Sequence, residues 1–132
     1  MKITPESVTQ QTVVKEFTNQ FCLKQHEPRL IIHSVPNGIV IPLPPRIKSK
    51  ALDLLHKMGM LNGVSDIIIH GVKNRCVFVE MKAEKGKQSD DQKDFQSRVV
   101  ALGGYYIIAH TTQEFWTKIT PYIGWLKGGE LE

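Results

Sequence analysis

Apolar and polar positions change period several times along the chain, and these changes divide it into helical and extended segments. Val8, Val13, Val14, Phe17, Phe21 and Leu23 recur at close to helical spacing behind the entrance Thr4-Pro5-Glu6, which predicts a first helix over much of residues 6–26. Leu30 to Val35 reads as a short strand, and Pro36-Asn37-Gly38 with Pro42-Leu43-Pro44-Pro45 marks an irregular connection. Ala51, Leu54, Leu55 and Met58 carry a short second helix that Gly59 stops. Asp66 to His70 and Val77 to Lys82 read as strands, with a turn on Gly71 and Asn74 that returns the second antiparallel beside the first. Ser89 is a candidate cap for a third helix reaching about Leu102, where Gly103-Gly104 ends it, and Tyr105 to His110 reads as another strand. Thr111 or Thr112 caps a last helix with Phe115, Trp116 and Ile119, expected to bend or end near Pro121. The order α, β, α, β, β, α, β, α predicts an α/β fold, a mixed central sheet flanked by helices rather than a bundle or a β-sandwich.

Composition narrows this picture. A length of 132 residues with 41% hydrophobic content suits a single domain, with its core over about residues 6–127 and a frayed tail at 128–132. A net charge of +4 and an isoelectric point near 9.1 suit a polyanionic partner without requiring one. Cys22 and Cys76 are isolated and lack the paired spacing of a zinc site or a disulfide framework, so a reducing cytoplasm is the expected location. Met1 to Glu6 contains no apolar signal core, and no run of about 18 apolar residues occurs, so no membrane partner is expected.

The residues with the most chemistry are Asp66, Glu80 and Lys82. Side chains alternate along a strand, so Glu80 and Lys82 project to one side and Met81 to the other, leaving the Met81 carbonyl near the carboxylates. Asp66 opens the neighbouring strand, so the three side chains can converge. Hard oxygen donors of this kind suit Mg2+, with Mn2+ substituting, and leave positions for water and substrate phosphate. Each residue also has an ordinary structural explanation: Asp66 as a strand-entrance residue, Glu80 and Lys82 as an ion pair on a solvated face. Against the second, Glu80 follows Val77-Phe78-Val79 on a strand expected to be central, where a charge is costly.

Gly63-Val64-Ser65-Asp66, then Glu80-Met81-Lys82, then Gly86, Ser89 and Gln92 resemble the core signature of the PD-(D/E)XK (restriction-endonuclease-like) nucleases, specifically the VRR-NUC branch. Asn37-Gly38 and Lys57-Met58-Gly59 are similar to motifs upstream of that branch's catalytic Asp. The resemblance implies Asp66 and Glu80 as metal ligands with the Met81 carbonyl, Lys82 as the catalytic ammonium and Gln92 as an auxiliary residue. It also implies a carboxylate from the first helix near the metal. Glu16, one turn from Gln20, is the expected residue, with Glu6 as the alternative. Ser65 stands where the family has Pro, a change in backbone stiffness rather than in chemistry.

The implied activity is metal-assisted hydrolysis of DNA leaving 5′-phosphate and 3′-hydroxyl ends, by a stand-alone nuclease of the phage or bacterial kind. Structure-selective cutting of branched DNA such as a four-way (Holliday) junction is part of that implication. A domain this small offers little surface to a branched substrate, which makes a homodimer the expected form. Arg46, Lys48, Lys50, Lys57, Lys85 and Lys87 are candidates for tracking a phosphate backbone. His26, His33, His56, His70 and His110 lack ligand spacing and read as core or surface residues. The Tyr105-Tyr106 pair is expected to pack one ring inward and turn one outward, and Phe115 and Trp116 to serve the core or a subunit contact. Two other classes compete: a DNA-binding module with this fold and no hydrolysis, and an interaction protein whose acids form ordinary ion pairs.

Overall fold

The computed structural model describes residues 4–35 and 43–131, and among these residues it has four strands and four α-helices. The elements are α1 (Pro5–Phe21), β1 (Ile31–Ser34), α2 (Pro45–Lys57), β2 (Ile67–His70), β3 (Cys76–Met81), α3 (Asp90–Ala101), β4 (Tyr105–Ala109) and α4 (Thr112–Leu126). Asn37 and Gly38, with the rest of the expected irregular connection up to Pro42, lie outside the described residues. The sheet has the order β1-β2-β3-β4. Its first two pairings are antiparallel, while β3 and β4 run parallel across the α3 crossover. This is the mixed α/β sheet flanked by helices that the sequence pattern predicts.

Strand alternation divides the sheet into two faces. Ile67, Ile69, Val77, Val79, Met81, Ile107 and Ala109 pack with Val13 and Phe17 of α1 and with Phe115, Ile119 and Leu126 of α4. Phe78, Glu80 and Tyr106 belong to the opposite face, where Phe95 of α3 meets Phe78 and Tyr106 edge-on at ring separations of 5.6 and 6.2 Å. β3 is therefore covered on both sides and flanked by a strand on each edge. A charge placed on it is shut away from water, which is what makes Glu80 unusual.

Local chemistry accounts for most helix ends. Thr4 and Ser7 form a reciprocal capping box at α1 with Pro5 in the first turn, and Ser89 and Gln92 form another at α3. Helix α1 stops at Phe21, short of the expected residue 26. Past that point the Phe21 carbonyl accepts the Leu30 N–H at 3.0 Å and the Cys22 carbonyl accepts Arg29 Nε at 2.8 Å, which satisfies these carbonyls without further helix. The expected break at Pro121 does not occur, and α4 continues to Leu126. Burial of Ile119 and Leu126 on either side of Pro121 outweighs the lost backbone bond. Arg75, beside the β2–β3 turn, donates to the carbonyls of Trp125 and Gly129, tying the start of the tail to the sheet.

Helix α2 differs from the other three in burying none of its residues. Ile47 and Leu54 on it, and Met58 at its C-terminal cap, are all more than half exposed.

Phe17 is fully buried and touches the rings of Phe21, Phe115 and Trp116, so it joins α1 to α4. Replacing Phe17 with Ala is expected to cost about 3–5 kcal/mol of unfolding free energy, read as a lower midpoint in urea at unchanged slope.

Candidate active site

The chain enters β2 through Gly63-Val64-Ser65-Asp66, and this entrance is keyed to the start of α3. Gly63 has φ +84°, and a Cβ there would lie 2.2 Å from the Asp91 carbonyl oxygen, so only glycine permits the approach. Ser65, fully buried, turns its hydroxyl forward onto the Ile67 carbonyl at 3.2 Å. Asp66 then reaches across to β3, where its Oδ2 accepts the Met81 N–H at 2.7 Å. Within a strand the N–H and C=O of one residue point to the same neighbour, so the Met81 carbonyl faces the Asp66 side as well.

Glu80, one residue earlier, has no solvent exposure. Its Oε1 accepts the Tyr106 hydroxyl at 2.5 Å and, more weakly, Gln88 Nε2 at 3.4 Å. Its Oε2 is buried with no hydrogen-bond partner. Lys82 projects to the same face two residues on, and its Nζ donates to Gln92 Oε1 at 2.7 Å. That same Gln92 oxygen accepts the Ser89 N–H at 2.9 Å, so the α3 cap also holds the amine. A cleft of about 280 Å³ opens alongside, lined by Asp66, Gln92, Gly63, Ser89 and Asp91.

Electrostatics around Asp66 are strained by design of the fold. Burial raises its carboxyl above the usual range, and Glu80 and Glu6 raise it further, while the Met81 N–H and Lys82 pull it down. Tyr106 is likewise pushed well above the usual phenol range, first by burial and then by its bond to Glu80, so it remains a donor.

The structure thus brings together Asp66, Glu80, the Met81 backbone, Lys82 and Gln92. It does not bring Glu16. Glu6 is the α1 carboxylate at the site: its Oε1 accepts the Ala83 N–H at 3.0 Å and it bears on Asp66. Ten residues at helical rise put Glu16 about 15 Å further along the axis, and it makes no hydrogen bond or ion pair with these residues. The choice of Glu16 is corrected to Glu6 because the first turn of α1, not its middle, passes the end of β3. Tyr105 and Tyr106 also differ from expectation. Neither turns outward: Tyr105 packs on Tyr122 and Trp125 of α4, and Tyr106 reaches Glu80 on the other face. Tyr106 and Gln88 had no signal in the sequence beyond an aromatic in a strand and a polar residue before a helix.

The donor set fits a hard divalent cation. The unpartnered Glu80 oxygen, a second carboxylate beside it and a backbone carbonyl turned the same way are all oxygen donors. Among the described residues no group of three His, Cys, Asp or Glu side chains is disposed to hold a metal ion by itself. A cation here would depend on the Met81 carbonyl, water and substrate to complete its shell, as Mg2+ commonly does.

With this geometry in place, two solved structures are similar over nearly the whole chain. One, named "VRR_NUC domain protein", is 21% identical, covers 93% of this chain and 91% of its own, and gives a TM-score of 0.62. The other, named "VRR_NUC domain", is 16% identical, covers 91% of this chain and 99% of its own, and gives 0.59. The chain has the VRR_NUC fold. No family model and no curated protein matches its sequence. The fold agrees with the motif resemblance, and no helix among the described residues is long and apolar enough to cross a membrane.

An acid with a raised folded-state pKa penalises folding once ionised. For Asp66 that penalty is absent below the unfolded carboxyl value of about 3.9 and complete above the raised value. Asp66→Asn, which keeps an acceptor for the Met81 N–H, is therefore expected to raise the melting temperature of the metal-free protein at neutral pH. That advantage should shrink as pH falls toward 4. Thermal scans across pH 3–8 in chelator check it.

Proposed function

We propose that the chain is a divalent-metal-dependent DNA endonuclease of the VRR-NUC type, hydrolysing phosphodiester bonds with Mg2+, for which Mn2+ substitutes. The observation that carries this reading is Glu80, fully buried on a central strand with one oxygen unpartnered. An uncompensated buried carboxylate oxygen costs several kcal/mol in order of magnitude unless a cation meets it. An acid and an amine flank it, which distinguishes the arrangement from a structural ion pair: Lys82 donates to neutral Gln92 rather than to either carboxylate. The shared fold with solved VRR_NUC domains supports the same reading.

Asp66, Glu80 and the Met81 carbonyl would hold the ion, with Glu6 close by. When bound, a divalent cation supplies Lewis acidity toward a phosphate oxygen and acidifies a coordinated water. Lys82 has donor capacity left after its bond to Gln92, and its ammonium would orient the attacking water and stabilise the charge that develops on the phosphate. Gln92 keeps that ammonium at the cleft by tying it to the first turn of α3.

Branched DNA, including the four-way junction, is the proposed substrate class, met by a homodimer. The unburied apolar positions of α2 support self-pairing, since a second copy would cover Ile47, Leu54 and Met58. Arg46, Lys50, Lys57, Lys85 and Lys87 are exposed and available to phosphates.

The test is a panel of linear, flapped and four-way DNAs with Mg2+, Mn2+ or chelator. Wild type is expected to cleave a branched DNA only with metal, and Asp66→Ala or Lys82→Ala to lower the rate at least 100-fold in order of magnitude while remaining folded by circular dichroism. Cleavage at the wild-type rate by either variant rejects the assignment, and metal-independent binding without cleavage leaves a DNA-binding module. Binding in chelator should weaken steeply between 50 and 200 mM salt, with Lys85→Ala/Lys87→Ala lowering the logarithmic salt slope by about 2.

A further inference from the structure

Glu80 is gripped through one oxygen only. Tyr106 lies on β4 opposite Phe78, two positions before the residue paired with Glu80, and its hydroxyl crosses to Oε1 at 2.5 Å. Gln88 Nε2 faces the same oxygen at 3.4 Å, and its other hydrogen goes to Gln96 Oε1 at 2.8 Å. The carboxylate orients the amide: flipped, Gln88 would set its own oxygen against Glu80 Oε1. Phe95 stands edge-on to the Tyr106 ring and limits its freedom to swing away. Oε1 is thus met by two protein donors, and Oε2 by none. Asp66 is treated in the same manner, with Oδ2 committed to the Met81 N–H. Each carboxylate is left one oxygen outside these bonds.

Ions differ in what they ask of a carboxylate. Ca2+ takes six to eight oxygens and readily accepts both from one carboxylate, whereas Mg2+ holds a tight octahedron that suits single oxygens and retained waters. We propose that Tyr106, supported by Gln88, is a positioning residue that selects the ion: by holding Oε1 it confines Glu80 to single-oxygen ligation and so favours Mg2+ and Mn2+ over Ca2+. This rests on reading Glu80 as a cation ligand. Tyr106 touches neither DNA nor the reacting atoms in this role and acts only through Glu80.

The experiment measures ion binding directly, without DNA. Free Mn2+ is followed by its electron paramagnetic resonance signal as the full chain is titrated, and bound Mn2+ is then displaced with Mg2+ or with Ca2+. Tyr106→Phe keeps the ring and removes the hydroxyl. It is expected to weaken Mg2+ and Mn2+ binding about 10- to 100-fold, the usual effect of removing a ligand's outer partner, while Ca2+ binding holds or strengthens. The preference for Mg2+ over Ca2+ therefore narrows. A purely structural role for the hydroxyl would instead lower all three affinities by one factor or leave them unchanged, and either result overturns the proposal. If Tyr106→Phe does not fold, Gln88→Ala serves: a smaller narrowing in the same direction supports the proposal, and an unchanged preference overturns it. Glu80→Gln separates the two layers. Binding by Glu80→Gln equal to that of wild type removes the ligand reading itself and the proposal with it, an outcome distinct from a Tyr106→Phe protein of unaltered selectivity.

Discussion

A carboxylate sealed inside the sheet is the constraint around which this molecule is arranged. Glu80 has strands on both sides, the α1–α4 core beneath its strand and α3 above it. Nothing in the hydrophobic packing calls for an acid there, and a Leu of similar bulk would stabilise the core better. The position makes sense only if the surroundings satisfy one oxygen with protein donors and leave the other for something of opposite charge. Tyr106 and Gln88 do the first. Oε2 is left with no hydrogen-bond partner, a cost in stability of the kind that strained functional positions carry.

Much of that arrangement could be read in the sequence because it depends on short-range geometry. Glu80 and Lys82 share a face by strand alternation alone, and Ser89 caps α3 by residue type alone. Asp66 follows from the turn that pairs β2 with β3, a contact of low sequence separation. What could not be read depends on contacts between distant segments. Glu6 rather than Glu16 meets the site because α1 lies across the sheet in one particular translation, which no local pattern encodes. Tyr106 meets Glu80 because β4 pairs parallel to β3 in a register set by the whole α3 crossover. Pro121 was misleading for the converse reason: local propensity argued for a stop, and the burial of Ile119 and Leu126 overrode it.

The two faces of the sheet carry different duties. On one, aliphatic residues from three strands meet the aromatic residues of α1 and α4, and stability resides there. On the other, α3 covers polar residues as well as Phe78, and it brings Gln92 and Gln96, with Gln88 just ahead of its cap, to hold them. Asp66 is poised at the boundary, raised by burial and by neighbouring acids yet drawn down by Lys82. Mutual repulsion of Asp66, Glu80 and Glu6 is tolerable in the folded chain because the opposite face supplies a closed apolar core that does not depend on the site.

The first turn of α3 is the point at which these parts are brought into register. Gly63 abuts the Asp91 carbonyl and so sets where the chain enters β2, and with it where Asp66 begins. Gln92 closes the capping box with Ser89 and, through the same oxygen, receives the Lys82 amine. A helix cap is ordinarily worth about 1 kcal/mol to the helix it begins. Here Gln92, the third residue of the capping box, also holds the Lys82 amine, so the position of the amine relative to the two acids follows from the position of the helix start. Displacement of that turn would shift the Lys82 amine and the entrance to β2, while Tyr106 holds Glu80 from β4. The site therefore has two anchors, the start of α3 for the amine and β4 for the buried acid, and the parallel β3–β4 pairing with its crossover sets how the two lie.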